Sequence, residues 1–330
     1  MLKSILSKGG WSCFSVMPRN CQKYILLKTV NSARHSSNSF SSVLQRTLQR
    51  MFNLKKYTTY RSVPQKIQSP PYILSGNDVS PVSADVKTKL QIEEMRPACE
   101  LAASILRHVG ANIEAGMTTD DIDAMVHRKS IEAGAYPSPL QYKGFPKSVC
   151  TSVNHIACHG VPGSLVLQDG DIINVDITVF FQGYHGDTSE TFMIGDVDRQ
   201  GQLLVQAAKD CRDIGISVCR EGALFSDIGE VVYMKAQEAG FEVIPNFCGH
   251  GIGQYFHGPP DIVHVPSYSG ARGEMKAGMT FTVEPIICEG SPEIQILSDD
   301  WTVVTKDKSR SAQFEHTILV TKNGHEILTK

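Results

Sequence analysis

The chain has 330 residues, 41% hydrophobic and 20% charged, a length and balance that suit a globular protein with a sizeable buried core. The formal net charge of −2 conceals an asymmetry: residues 1–77 hold twelve Lys or Arg and no acid, so residues 78–330 carry 20 basic against 34 acidic side chains, a balance of −14. A body that acidic excludes the basic surface that nucleic-acid phosphates demand, and nine cysteines without a Cys-x-x-Cys pair exclude a zinc-finger or disulfide framework.

Residues 1–60 are Ser-rich, basic and acid-free, with short apolar runs such as Tyr24–Leu27. This is the composition of a mitochondrial transit peptide and predicts delivery to the matrix. A secretory signal needs a longer apolar run, and no stretch of 18 apolar residues predicts a membrane span. Residues 61–84, punctuated by Pro64, Pro70, Pro71, Gly76 and Pro81, read as a linker, and a folded body is expected over 85–330. It opens with a helical pattern through Leu90, Ile92, Met95 and Leu101–Val109, with a bend expected at Pro97.

The body carries an internal repeat. Gly116, Asp121, Ile122 and the Glu132-Ala133-Gly134 ending recur as Gly222, Asp227, Ile228 and Glu238-Ala239-Gly240, all at an offset of 106. Each copy predicts an amphipathic helix with a polar start and a glycine stop. Downstream, Gly170 opens an apolar-rich strand that reaches Asp176, and Gly278 opens another that reaches Glu284. Two matches at nearly one offset predict an α+β fold of two similar α/β halves with a cleft between them.

The strand over 172–181 alternates, with Ile173, Val175, Ile177 and Val179 on one face and Asn174, Asp176 and Thr178 on the other. A two-residue turn at Gln182-Gly183 would set Asp187 opposite Thr178 and diagonal to Asp176. Two carboxylates on one face of an apolar hairpin repel unless a cation joins them. Glu284, halted by Pro285, presents a third acid, and Glu315 starts the apolar final strand as a fourth. Cys248-Gly-His250-Gly-Ile-Gly253 through Phe256-His257 is a His-Gly-rich loop whose glycines would let the backbone pass close to a ligand or metal. Its spacing is not that of a phosphate cradle, and the chain has no Gly-x-Ser-x-Gly nucleophile elbow. His155, His264 and His316 lack such context and read as structural.

Six ordered motifs then carry a resemblance. Thr151–Asn154 with Cys158–Pro162, Asp171–Asp176, His185–Thr188, Gly249–Gly253, Thr282–Pro285 and Ser311–His316 closely resemble the methionine aminopeptidases of type 1, over roughly 85–328. The resemblance implies the pita-bread fold, two pseudo-symmetric α/β halves around a central antiparallel sheet, consistent with the repeat. It implies that Asp176 holds one divalent ion, that His250 and Glu284 hold a second, and that Asp187 and Glu315 bridge them. Such an oxygen-rich set suits Co²⁺, Mn²⁺ or Fe²⁺, with Zn²⁺ also compatible. Glu284 is implied as proton acceptor, and His159 and His257 as groups that contact the substrate backbone and the developing oxyanion.

Tyr142, Phe145, Cys150, Phe256 and Trp301 fall where the family lines its methionine pocket, and Asn154 and Ser311 where some members hold a monovalent cation. Pro139 departs from the Cys of some bacterial relatives at the pocket rim. The implied activity is removal of the initiator methionine from nascent polypeptides whose second residue is small and uncharged, by a monomer. Two rivals remain. An Xaa-Pro aminopeptidase or prolidase usually has a large N-terminal domain, and a catalytically dead binding protein of the same fold would not need five intact ligands.

Overall fold

The computed structural model describes residues 60–76, 78–266 and 273–330, of which the part from Ser62 to Lys330 belongs to one compact unit. The transit peptide expected over 1–60 lies, but for Tyr60, outside the described residues.

The segment expected to be a linker is instead part of the folded body. From Ser62 onward it packs on that body: Ile67 is buried with Tyr136, Leu140 and Phe180, and the short helix α1 (Pro71–Ser75) buries Tyr72 beside Tyr142 and Phe256. Its prolines misled because they stiffen an extended path while the apolar residues between them, Ile67 and Tyr72, find a surface to cover.

Helix α2 (Lys89–Gly110) starts at a capping box, in which the Thr88 hydroxyl accepts from the Gln91 amide and the Gln91 side chain accepts from the Thr88 amide at 2.8 Å. It continues through Pro97, which forgoes one backbone bond while buried Met95, Ala98 and Cys99 hold both sides. Helix α3 (Thr119–Glu132) and helix α5 (Phe225–Glu238) are the repeated pair. In both, the repeated aspartate reaches back to a backbone amide: Asp121 to Thr118 at 2.8 Å and Asp227 to Leu224 at 3.0 Å. The repeated closing glycines share a left-handed backbone, φ 76° at Gly134 and 78° at Gly240. Between them in sequence lies α4 (Arg199–Ser217).

Five strands carry the centre: β1 (Ile172–Phe181), β2 (Tyr184–Met193), β3 (Cys248–Gly251), β4 (Thr280–Val283) and β5 (Glu315–Thr321). Their antiparallel order is β1-β2-β5-β4-β3, so the last of these five in sequence joins the two halves in the middle of the sheet. Ile173, Val175, Ile177 and Val179 face a core with Val109, Ile122 and Val126 from α2 and α3. Phe281, Val283 and Ile318 face a second core with Leu204, Ala208, Ile228 and Val232 from α4 and α5. Gly186 allows α2 to lie directly on β2, since a Cβ there would sit 2.5 Å from the Ala98 carbonyl. With both helix layers on one face of the sheet, the polar alternate residues of β1, β2, β4 and β5 share the other face.

Candidate metal centre

The hairpin register comes out as the turn chemistry demands. Gln182 and Gly183 both have positive φ, 53° and 90°, so a two-residue turn reverses the chain with the twist that antiparallel strands need. Thr178 therefore faces Asp187 and Asp176 faces Ser189. The Thr178 hydroxyl donates to Asp187 Oδ1 at 2.7 Å, which orients that carboxylate toward Asp176. Strand β5 then pairs with β2 at Glu315↔Ser189, bringing the Glu315 carboxylate to the same place. Thr188 secures it by donating to the Glu315 carbonyl at 2.9 Å.

From the second half, β3 and β4 deliver His250 and Glu284. Thr282 Oγ1 links the two, accepting from the His250 amide at 2.9 Å and donating to Glu284 Oε1 at 2.7 Å. Gln313 Nε2 donates to Glu284 Oε2 at 3.3 Å. His250 Nδ1 lies 3.2 Å from the Gly251 carbonyl. Protonated there, the ring turns a bare Nε2 toward Asp187 Oδ2 at 3.7 Å and Glu284 Oε1 at 3.6 Å. Ligand atoms of Asp187, His250 and Glu315 all lie within 4.8 Å of one another. The glycines flanking His250 serve a purpose other than the one expected. A Cβ at Gly249 or Gly251 would collide with the carbonyls of Thr282 and Pro259, so they admit neighbouring backbone, not a ligand.

Burial dominates the electrostatics. Asp187, Glu315 and His250 are 4%, 2% and 8% exposed. Burial pushes the Asp176 carboxyl up to about 7 and that of Glu284 up to about 8, and lifts Asp187 and Glu315 well above the carboxylate range. Mutual repulsion adds to the effect at Asp187, Glu284 and Glu315. The imidazoles move the other way, with burial lowering His159 and His250 to about 4 and His257 well below its ordinary value. Four crowded acids and a neutral imidazole are a poor arrangement for a protein alone and a good one for divalent cations, which turn the repulsion into attraction. The donor set fits hard or borderline metals.

Around this cluster the expected pocket residues form two aromatic groups. Tyr142, Phe256 and His257 pack together, with ring centroids 4.8 Å apart for Tyr142–Phe256 and 5.0 Å for Tyr142–His257; the His257 ring lies 4.1 Å from that of His250. Phe145 meets Trp301 edge to face at 5.1 Å, and Trp301 faces His159 at 6.4 Å. Cys150 sits opposite Asp176 across the strand pairing, its thiol held neutral by burial. Pro139, the departure at the rim, accepts the Tyr142 amide at 3.0 Å on its carbonyl. The Asn154 carbonyl accepts the Ser311 amide at 2.9 Å, so these two residues are adjacent as well.

Sequence reasoning missed two supports. His264, read as merely structural, accepts the Glu284 amide on Nε2 at 3.1 Å, and burial, which lowers its pKa to about 3, keeps that nitrogen free of a proton. His185 is fully buried, bonded to Ser138 Oγ at 2.9 Å and stacked on Phe256 at 5.2 Å, beneath the pocket. Its place in a His-Gly-Asp run was the available signal.

This fold is that of a known family. The description "Metallopeptidase family M24" matches residues 93–322. "Methionine aminopeptidase 1D, mitochondrial" of Homo sapiens is 54% identical over 271 residues, covering 81% of this chain and 80% of the human protein. The chain belongs to the methionine aminopeptidases of family M24. The same-named protein of Danio rerio is 47% identical to this aminopeptidase over 318 residues, with 92% of this chain and 94% of that one covered. A methionine aminopeptidase structure from Rickettsia prowazekii superposes with a TM-score of 0.73 at 42% identity, over 75% of this chain and all of that one. A prolidase from Pyrococcus furiosus shares the pita-bread fold at a TM-score of 0.60 and 21% identity, a likeness of fold alone. The aminopeptidase is a mitochondrial hydrolase that uses divalent metal. Among its described residues no helix is long and apolar enough to cross a membrane.

Proposed function

We propose that this mitochondrial enzyme, which removes the initiator methionine from polypeptide N-termini, does so with two divalent cations held by Asp176, Asp187, His250, Glu284 and Glu315. Asp176 from β1 would hold one ion, His250 and Glu284 the other, and Asp187 and Glu315, between these groups in the sheet, would hold both. The carrying observation is the convergence of Asp187, His250 and Glu315 ligand atoms within 4.8 Å, on a floor of acids that burial and repulsion keep from ionising alone. Two bound cations would supply a water of lowered pKa and a polarised scissile carbonyl.

The remaining chemistry falls to the side chains. Glu284, held by Thr282 and Gln313, accepts the proton of the attacking water and can pass it to the departing amine. His159 and His257 are neutral and project from the two aromatic groups, placed to bond the substrate backbone and the oxygen that gains charge in the tetrahedral state. Tyr142, Phe145, Cys150, Phe256 and Trp301 receive the thioether side chain in an apolar pocket with a neutral thiol on one wall. The Asn154 carbonyl and Ser311 hydroxyl would take a monovalent cation that steadies the β1 end of the site. The targeting segment covers 1–60, the catalytic body begins with the packed segment after it, and the enzyme works as a monomer in the matrix.

The test is hydrolysis of Met-Ala-Ser by the full chain across a series of Co²⁺, Mn²⁺, Fe²⁺ and Zn²⁺, with two ions per chain expected by metal analysis. A misfit of one methylene in the methionine pocket is worth about 1–3 kcal/mol, so a first-residue norleucine should be tolerated and Leu disfavoured. The second residue would lie beside the metals near His159 with little volume, so Met-Gly and Met-Ser peptides should be cleaved and Met-Lys and Met-Leu spared. Faster release of other residues from Xaa-Pro peptides would move the protein to the prolidase branch. Equal kcat/KM for Met-Ala-Ser and Met-Lys-Ser would remove the proposed specificity.

A further inference from the structure

The segment from Ser62 to Asp85 precedes the 93–322 match to family M24, yet it reaches the pocket. Tyr72 packs edge to face on Tyr142 at 4.9 Å and donates its hydroxyl to the Ser138 carbonyl at 2.5 Å. Helix α1 then closes on Gly76 with φ 70°, and the chain brings Asp78 against the loop that carries His257. Asp78 Oδ2 accepts from two consecutive backbone amides, Phe256 at 3.2 Å and His257 at 3.1 Å, and from the Tyr142 hydroxyl at 3.4 Å. Just beyond, Ser80 Oγ fills the space that a Cβ at Gly258 would need, 2.7 Å away, so the two segments touch along several residues.

This is not a solvated surface contact. Burial shifts the Asp78 carboxyl upward from its ordinary value even though both amides pull it down. A charged acceptor shared by two amides is among the stronger hydrogen-bond arrangements, and deleting it strands both donors. The two amides belong to the residues whose side chains matter most here. The Phe256 ring lies against Tyr142, and the His257 imidazole stacks on Tyr142 at an interplanar angle of 22°.

We propose that Asp78 is a positioning residue for the reaction: its carboxylate clamps the Phe256–His257 backbone, setting the His257 imidazole toward the scissile bond and the Phe256 ring in the methionine pocket. The proposal rests on the proposed roles of His257 at the substrate and of Phe256 in the pocket wall. It makes Asp78, ahead of the family match, part of the working site, where a merely structural strap would add only stability.

The test compares Asp78→Ala, Asp78→Asn and Ile67→Ala in the full-length, metal-loaded protein. A displacement of about 1 Å in a positioned group costs on the order of 10²-fold. Asp78→Ala should therefore lower kcat on Met-Ala-Ser by about 10- to 100-fold, with KM changed by less than about threefold and metal content intact. Asp78→Asn, which keeps an acceptor of the same shape, should recover part of the loss. Ile67→Ala removes a buried contact of the same segment, and should lower the melting temperature while keeping kcat. A readout independent of turnover is hydrogen exchange: the Phe256 and His257 amides should exchange at least about tenfold faster in Asp78→Ala, and the His250 amide unchanged. An unchanged kcat, unchanged amide exchange, or a loss that tracks lost metal would each overturn the proposal. Failure of the wild-type chain to release methionine would instead overturn the functional reading, with amide exchange still deciding the clamp.

Discussion

In the first half, the strand opened by Gly170 carries Asp176 and turns back at once through Gln182-Gly183 to supply Asp187. In the second, the strand opened by Gly278 leads to Glu284 and is stopped by Pro285, and the further proposed ligand comes from a neighbouring strand, as His250 on β3. The opening glycines have φ 92° and 97°, and the capping aspartates make the same backward bond, so the scaffold is shared. What differs is the source of the second proposed ligand: a hairpin gives an acid, a crossing strand gives an imidazole. A duplicated framework thus places one carboxylate per half by symmetry, and local departures make the two ends chemically unlike. Glu315, on the strand where the halves meet, belongs to neither.

That comparison can be broken at the ligands first. Asp187→Asn replaces the acid proposed to bridge the metals with a neutral amide and should lower kcat/KM by roughly 10³-fold or more even in excess metal, with metal stoichiometry reduced. His159→Ala should keep both ions and lose about 10²-fold in kcat, because its proposed action is on the substrate's developing charge. Full activity of Asp187→Asn, or metal loss in His159→Ala, would mean the ligand set is drawn wrongly.

Matched core positions come next. Ile122 and Ile228 are equivalents 106 residues apart and both fully buried, so Ile→Ala at either should cost about 2–5 kcal/mol in urea unfolding of the metal-loaded enzyme. A large inequality would show that the halves unfold as separate units.

Chelation should expose the acids both halves press together. In the metal-free protein, Asp176 and Glu284 have folded pKa values of about 7 and 8, above the unfolded values, so their contribution is full below about pH 4 and is lost as pH rises through 7–8. The buried imidazoles His159 and His250, lowered to about 4, act oppositely and destabilise as pH falls below about 6.5. The melting temperature of the chelated protein should therefore be lower at pH 8.5 than at pH 6.5, and divalent metal should restore most at the higher pH. A rise between pH 6.5 and 8.5 after chelation would contradict the crowded-acid account.

The smallest effect sharpens the repeat itself. Asp121→Ala leaves the Thr118 hydroxyl capping α3, whereas Asp227→Ala leaves α5 with Leu224, which has no hydroxyl, at its start. Caps are worth about 0.5–2 kcal/mol, and Asp227→Ala should fall toward the upper end and Asp121→Ala toward the lower. Calorimetry of the two variants would check the order.

What the sequence by itself determined was whatever local periodicity and turn chemistry govern. The alternation of residues 172–181, with a two-residue turn that only small or left-handed-tolerant residues accept, dictates that Thr178 faces Asp187, and strand pairing bears this out. The repeat, visible as Gly, Asp and Glu-Ala-Gly at one offset, specified two helix caps and two helix stops before any packing was known. Tertiary structure decided the rest. That β5 enters between β2 and β4, and so brings Glu315 to Asp187 across 128 residues, depends on which sheet edges remain open once both halves have folded. That His264 braces Glu284, and that a proline-rich segment folds back so Asp78 holds His257, depends on surfaces no sequence window contains. Hydrogen bonds between residues 20 and 179 positions apart have no periodicity to announce them; they form because burial leaves each donor one nearby acceptor.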